Sequence, residues 1–290
     1  MSASLFLQLV INGVLLAGVY TLAALGLSLI FGVSGVLNLA HGEFLMVAGF
    51  VVFLVYDRLG INPFLIAVVL TPAFFLVGYV FEWLLIRPLA NRKEHVRLAS
   101  ATLVTLGAAL IIEDVATFFS VGTEFEKSVG YFLPTLVLGP LILPSLKVLV
   151  FGLVLALIVA LVAFLRGTYV GLAVRAVTQN PRGAMLNGVP IYSINAIAFG
   201  LGTFLAAAAG GLEVIHSYVS PLIGLPLTLK YLCITVMGGL GSFVGVALSA
   251  IVLGLGESFV GYLSPAWGQT VAYFLLVFVL LARPKGLLGS

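Results

Sequence analysis

Charged residues are scarce in this sequence, since Asp, Glu, Lys and Arg make up 8% of its 290 residues. Soluble domains contain roughly 25% charged residues, and they are also far less apolar than the 62% found here. This composition excludes an ordinary soluble domain and predicts an integral membrane protein without room for a separate aqueous catalytic domain. The formal net charge of +3 is too small to indicate a nucleic-acid partner.

Cysteine and histidine are also rare. Cys233 is the single cysteine, so the chain has neither a disulfide framework nor a thiolate metal site, and we expect this residue to fill space in the core. His41 and Glu43 are two residues apart, and the remaining histidines, His95 and His216, fall in predicted loops, so we expect no metal site. The sequence contains no GxxxxGK[ST] phosphate loop, so any ATP hydrolysis must take place on another polypeptide.

Long apolar runs are what the sequence has in abundance. They predict an all-α, polytopic helix bundle of about eight or nine spans with glycine-broken or re-entrant helices. The predicted spans are 5–31, 36–56, 63–86, 98–120, 147–165, 191–212 and 266–282. The stretch 227–262 is too long for one crossing and is interrupted by GGLGS, so it forms either two short spans or a re-entrant hairpin and a span. The first run lacks the features of a signal peptide, and we interpret it as a retained span.

Lysine and arginine are concentrated in the segments 87–97 and 166–190 and in the carboxyl-terminal tail. These residues are Arg87, Arg92, Lys93, Arg97, Arg166, Arg175, Arg182, Arg283 and Lys285. The positive-inside rule predicts that these segments are cytoplasmic. The segment 121–146, with Glu124, Glu126 and Lys127, and the segment 213–228 are then outward, and three crossings before Arg87 place the amino terminus outside.

Polar residues interrupt the second predicted span. The segment FGVSGVLNLAHGEFLMVAGF places Asn38, His41 and Glu43 at membrane depth, where a charged centre costs about 2.5–3.5 kcal/mol or more. A short helix over 36–40, flanked by glycines, would leave free amide and carbonyl ends for a solute's carboxylate and ammonium groups. We predict that four residues lie on a translocation path: Asn38, His41, Gly42 and Glu43. The alternative is that the three polar side chains satisfy one another and brace the fold.

Two further regions supply candidates for the path. Thr102 and Thr105 lie in the span 98–120, although threonine hydroxyls often bond back to their own helix. Gly239 and Gly241 lie in GGLGSFVGVALSAIVLGLGES, where Gly241 and Gly245 have the spacing of a close-packing helix pair. The same glycines do not match a dinucleotide fingerprint, because their spacing is wrong and no βαβ strand precedes them.

The segment GTYVGLAVRAVTQNPRGAMLNGVPIYSI, which follows Arg166, predicts two short helices on the cytoplasmic side. The first covers 172–178. Asn180 is the predicted N-cap of the second, with Pro181 at its first position and Gly188 at its end. A solvated loop needs no such regular structure, so this segment predicts a docking surface.

Three segments together carry a resemblance to a known family. GVLNLAHGEFLMVAGF, RAVTQNPRGAMLNGV and GGLGSFVGVALSAIVLGLGES with a terminal ARPKGL resemble the inner-membrane permeases of branched-chain amino acid ABC transporters, most closely the shorter of two permease types. The resemblance implies one transmembrane permease domain over 1–290 in the bacterial inner membrane, with no enzymatic activity or cofactor of its own. It implies four kinds of partner: the lipid bilayer, a second homologous permease, two cytoplasmic ATPases that bind ATP, and an extracytoplasmic solute-binding protein that delivers leucine, isoleucine, valine or related solutes. By position, it assigns the ATPase contact to seven residues: Arg175, Ala176, Gln179, Asn180, Pro181, Arg182 and Gly188.

Other functions remain open at this point. Related permeases serve urea, short amides and other small polar solutes, which a mostly apolar path does not discriminate. An ion-coupled secondary transporter would use Glu43, Glu213 or Glu257 as its coupling carboxylate. A membrane-embedded enzyme would need a converging nucleophile, base or metal cluster, and the sequence indicates none.

Overall fold

The predicted all-α bundle is confirmed by a computed structural model, which describes residues 2–120, 126–268, 270–283 and 286–288. Its helices are α1 (Ala3–Ser34), α2 (His41–Leu59), α3 (Pro63–Phe81), α4 (Glu94–Ser120), α5 (Ser145–Gly167), α6 (Tyr169–Gln179), α7 (Pro181–Leu186), α8 (Ile191–His216), α9 (Gly224–Gly238), α10 (Phe243–Leu263), α11 (Pro265–Gly268) and α12 (Val271–Ala282). A π-helical turn (Glu82–Ile86) and a 3-10 turn (Arg87–Leu89) extend α3, and a second 3-10 turn (Pro221–Ile223) precedes α9. The strands β1 (Leu136–Leu138) and β2 (Leu141–Leu143) form a small antiparallel hairpin.

Seven helical stretches within the described residues are long and apolar enough to cross a membrane. They contain α1, α3, α4, α5, α8, α9 and α10. Five predicted spans, 5–31, 63–86, 98–120, 147–165 and 191–212, coincide with five of these stretches, and the stretch 227–262 forms two more, α9 and α10, which favours the alternative of two short spans. Helix α2 has 19 residues and carries three charges, Glu43, Asp57 and Arg58, while α12 has 12 residues.

Helices α1 and α8 form the centre of the bundle. The most apolar window of each is 78% buried, whereas the corresponding window of α4 is 11% buried. Glycines let α1 approach both of its main neighbours, since a Cβ on Gly254 would overlap the Gly13 carbonyl and a Cβ on Gly202 would come within 2.7 Å of the Gly26 carbonyl. We call these contacts the glycine seam; they bring helix backbones together without intervening side chains.

The predicted packing pair of Gly241 and Gly245 is wrong. Gly241 lies before α10, in the turn 239–242, with a φ of 84° that an L side chain rarely adopts. Gly245 packs instead against Gly238 of α9, where a Cβ on either glycine would overlap the other's backbone. The glycine cluster therefore closes the α9–α10 hairpin.

The two positively charged loops meet at one end of the bundle. The Arg87 guanidinium lies 5.5 Å from the ring centre of Tyr192 at the start of α8. Gly32, near the end of α1, lies beside Thr178 of α6 and Gly241 of the turn 239–242. We call this the basic end. Two charged residues used to predict sidedness lie outside the described residues: Glu124 and Lys285.

The opposite end is formed by the beginning of α1 and by the β-hairpin. The Gln8 side chain donates a hydrogen bond to the Ile142 carbonyl at 2.7 Å and accepts one from the Ile142 N–H at 3.0 Å. Lys127 and Val219 exchange backbone hydrogen bonds of 2.8 and 2.7 Å. These bonds tie the long segment between α4 and α5 to the bundle.

Candidate functional site

The chain between α1 and α2 is irregular although it is largely buried. We call residues 35–40 the broken segment. The predicted short helix over 36–40 is wrong, because residues 36–38 are irregular and residues 39–40 form only a turn. Gly35 ends α1 in the left-handed region, with φ of 69°, and donates its N–H to the Phe31 carbonyl at 2.8 Å. Irregular backbone inside an apolar bundle needs partners from elsewhere.

Two threonines from other helices supply those partners. Thr105 of α4 accepts a hydrogen bond from the Leu39 N–H at 3.2 Å, and its hydroxyl lies 3.2 Å from the Leu37 carbonyl. Thr228 of α9 accepts a hydrogen bond from the Gly42 N–H at 2.7 Å, and its hydroxyl lies 3.2 Å from the Leu39 carbonyl. Helices α4 and α9 therefore hold the broken segment from two sides.

Replacing Thr105 by valine is expected to lower stability. Valine has nearly the same shape but cannot accept the Leu39 N–H, and an unpartnered buried donor costs about 1–3 kcal/mol. The melting temperature of the purified protein measures this loss. Thr102→Val is the matched control, because among the described residues the Thr102 hydroxyl bonds only to the Leu98 carbonyl of its own helix, at 3.0 Å. Equal melting temperatures for the two variants would contradict the bracing role of Thr105.

The three polar side chains of the predicted path are fully buried, and their hydrogen bonds do not join them to one another. Asn38 accepts a hydrogen bond from the Ala40 N–H at 3.1 Å, within the broken segment. His41 Nε2 lies 2.9 Å from the Ala23 carbonyl of α1. Both carboxyl oxygens of Glu43, together with Asn38 Nδ2 and His41 Nδ1, have no hydrogen-bond partner in the described part of the chain. The site thus presents both donor and acceptor atoms that are not used by the fold.

Glu43 lies against the amino end of α9. A Cβ on Gly224, the first residue of α9, would overlap the Glu43 carboxyl group, so the absence of a side chain there leaves room for it. The amino end of a helix carries a partial positive charge that favours a nearby carboxylate. Gly42 is the neighbour of Glu43 on α2 and packs against the same end of α9, where it contacts Gly224 and Thr228.

Sequence reasoning missed a charged group on α9. Lys230 Nζ lies 3.0 Å from Glu257 Oε1 of α10, and the Tyr20 hydroxyl of α1 donates a hydrogen bond to Glu257 Oε2 at 2.7 Å. The ammonium group also lies 4.8 Å from the centre of the Tyr20 ring. We call these three residues the ion-pair cluster. The sequence did contain a signal for this ion pair, because Lys230 lies in an apolar run and a cation at membrane depth requires a counter-ion.

The ion-pair cluster adjoins the broken segment. Tyr20 precedes Ala23, the acceptor for His41, by less than one helical turn, and Lys230 follows Thr228 by two residues. Tyr20 is also close to the middle of α1, which begins at Ala3 and ends at Ser34. We call the polar groups around the broken segment and those of the ion-pair cluster, contributed by α1, α2, α4, α9 and α10, the polar layer; on α1 and α9 the two sets lie within three residues of each other along the helix.

The other predicted path residues lie elsewhere. Thr102 does not reach the broken segment, and Gly239 and Gly241 lie at the basic end. Gly241 borders a cleft of about 190 Å³ that Arg175 of α6 and Gly32 of α1 also line. In the described ranges, no group of three His, Cys, Asp or Glu side chains is placed to hold a metal ion.

The two predicted helices after Arg166 are present as α6 and α7. Helix α6 begins earlier than predicted, at Tyr169, because Thr168 caps it by accepting the Gly171 N–H at 3.0 Å. Asn180 caps α7 by accepting the Gly183 N–H at 2.9 Å, and Pro181 is its first residue, as predicted.

Helix α7 ends as its sequence predicts. Gly188 has a φ of 81°, and its N–H donates to the Met185 carbonyl at 3.0 Å. The Val189 N–H donates to the Ala184 carbonyl at 3.1 Å, which completes a Schellman motif. Both ends of α7 are thus fixed by local hydrogen bonds.

Helices α6 and α7 enclose an open groove of about 380 Å³, which we call the α6–α7 groove. Three of the residues predicted to contact an ATPase line it: Ala176, Gln179 and Asn180. Arg182 is exposed on α7, whereas Arg175 lines the separate cleft against α1, together with Gln179. Large apolar side chains are exposed around the groove, including Leu172 and Leu186.

Comparisons with known proteins agree on one family of transport proteins. The family model described as branched-chain amino acid transport system / permease component matches residues 9–280. The high-affinity branched-chain amino acid transport system permease protein LivH of Salmonella typhimurium is 30% identical over 307 residues, covering 98% of this chain and 96% of that protein. The corresponding protein BraD of Pseudomonas aeruginosa is 28% identical over 303 residues, with the same coverage of 98% and 96%. A solved structure, PsaBC from Streptococcus pneumoniae in complex with Fab, aligns with a TM-score of 0.47 and 15% identity over 97% of this chain and 92% of that chain, which does not establish a shared fold.

Proposed function

Because the chain belongs to the branched-chain amino acid transport permease family, we propose that it is the membrane-spanning permease subunit of an ABC importer. Its solutes are branched-chain or related amino acids, delivered by an extracytoplasmic solute-binding protein. The observation that carries this proposal is the broken segment: a multi-pass bundle holds irregular backbone and unused polar atoms at mid-depth, where a solute must pass. The whole chain acts as one permease domain in the bacterial inner membrane.

The arrangement of the two ends supports the partners that we propose. The basic end faces the cytoplasm, in agreement with the positive-inside rule, and the amino terminus lies outside. There, the α6–α7 groove receives one of two ATPase subunits, which bind and hydrolyse the ATP. A second homologous permease completes the path. The chain itself needs no cofactor and contacts no nucleic acid.

The structure offers a route by which ATPase movement reaches the path. Thr178 of α6 touches Gly32 of α1, three residues before the broken segment begins at Gly35. Thr228 of α9 bonds to Gly42 of α2, just beyond the other end of that segment. A displacement of α6 would therefore act on the polar layer through α1. ATP-driven closure of the ATPases then shifts the population between outward-open and inward-open states.

Uptake by the complete reconstituted importer tests this function. We expect ATP-dependent accumulation of labelled leucine in vesicles, with labelled urea as the competing solute. Accumulation of urea in preference to leucine would assign the chain to the branch of the family that carries small amides. The buried Glu43 carboxyl, which has no hydrogen-bond partner among the described residues, favours one further candidate, an ion-coupled secondary transporter. Uptake that persists without ATP and collapses with an ionophore would replace our proposal by that one.

A further inference from the structure

Lys230 and Glu257 are an ion pair in the interior of an apolar bundle. Their side chains are 13% and 9% exposed, and their closest atoms are 3.0 Å apart. Removing two charges from water is costly, and a buried pair of this kind is often no more stable than two apolar side chains in its place. Stability alone therefore does not account for the pair, and ionisable residues at membrane depth usually mark the route of a solute or ion.

The ion-pair cluster has the charges that an amino acid would need. A zwitterionic amino acid carries one carboxylate and one ammonium group, separated by a single carbon. Lys230 offers an ammonium group and Glu257 a carboxylate, and Tyr20 adds a hydroxyl that already bonds to Glu257. Neither charged side chain is completely enclosed, since each retains a small exposed area.

We propose that Lys230 receives the carboxylate and Glu257 the ammonium group of an amino acid in transit. This inference rests on the proposed function and narrows its solutes to zwitterions. As the solute enters, its carboxylate replaces Glu257 beside Lys230, and its ammonium replaces Lys230 beside Glu257. Every charge stays paired throughout the exchange, so the cost of a lone charge in the bundle is avoided. Urea, which carries no charge, cannot make this exchange.

Removing one charge tests the need for the pair. In the complete importer, Lys230→Met is expected to lower leucine uptake at least tenfold, and Lys230→Arg to retain part of it. Lys147→Met, at the beginning of α5, is the matched control and is expected to leave uptake unchanged. Wild-type uptake by Lys230→Met would overturn the proposal.

Exchanging the two charges separates solute recognition from a purely structural ion pair. The double variant Lys230→Glu with Glu257→Lys restores the pair, so its melting temperature should return toward that of the wild type. Its leucine uptake should stay below one tenth of the wild-type rate, because the charges now face the wrong groups of an L-amino acid. Recovery to more than half of the wild-type rate would show a structural pair and overturn the proposal.

A chemical measurement keeps the proposal testable if the exchanged variant does not fold. In a Cys233→Ala background, Lys230→Cys is treated with a positively charged methanethiosulfonate reagent within the importer. Leucine is expected to slow this modification several-fold, whereas urea should not. Equal rates with leucine and urea would overturn the inference. The wild-type importer is assayed in parallel: failure of its leucine uptake would refute the proposed function instead.

Discussion

A Gly42→Ala variant is expected to lose at least nine tenths of its uptake, because the added methyl group has no space. Its Cβ would overlap the Gly224 carbonyl and come within 2.8 Å of the Thr228 backbone nitrogen. These are backbone atoms of α9, so neither can turn aside as a side chain would. Overpacking of this kind costs about 1–3 kcal/mol, and relief requires that α9 move away from α2. Such a movement would also stretch the 2.7 Å hydrogen bond from Gly42 to Thr228.

The matched control is Gly152→Ala on α5. Apart from the backbone of its own helix, no atom of the described residues lies within 4 Å of the position its Cβ would take, and alanine favours a helix over glycine by about 1 kcal/mol. Melting temperature and ATP-driven leucine uptake are measured for both variants. We expect Gly152→Ala to keep wild-type uptake with unchanged or slightly raised stability. Normal uptake by Gly42→Ala would mean that the contact between α2 and α9 has no part in transport.

An Ala176→Phe variant is expected to insert normally but to lose its ATPase subunits and all ATP-driven uptake. Ala176 lines the α6–α7 groove and is only partly buried, so a phenylalanine there has the open groove to occupy. Pull-down of the ATPase subunits with the tagged permease measures docking, and uptake in vesicles measures the consequence.

Ala266→Phe provides the control for Ala176→Phe. Ala266 is an exposed helical alanine on α11, which follows α10 at the opposite end of the bundle. The same added bulk there should change neither ATPase recovery nor uptake. Stable co-purification of the ATPases with Ala176→Phe would rule out the groove as their docking site.

Local signals allowed the ends of α7 to be predicted. Asn180, Pro181 and Gly188 each act through atoms within a few residues along the chain, as N-cap, first helical residue and left-handed C′ residue. The apolar runs predicted the helices for the same reason, since the length of a run is itself a local property.

The polar layer was only partly predictable, because its structure depends on contacts between distant parts of the chain. The sequence located the break after α1 but not its conformation, which is set by Thr105 and Thr228 from two other helices. The residues around Lys230 did not indicate its partner, because Glu257 lies 27 residues further along the chain. The sequence paired Gly245 with Gly241, whereas in the structure Gly245 packs against Gly238. This pairing likewise depends on where α9 ends.

The glycine seam bears on how easily the bundle can move. Side chains on ordinary helices form ridges that fit into the grooves of a neighbour, and sliding requires these ridges to disengage. At Gly13 and Gly254, and again at Gly26 and Gly202, the backbone of α1 comes close to the backbone of its neighbours, with side chains such as Leu255 and Ile30 packed alongside. These close backbone contacts have few ridges of their own and favour small shear displacements of α1 along α10 and α8, by sliding instead of hinge bending. A transporter that must change state in every cycle would thereby keep its centre closely packed while lowering the barrier to its own motion.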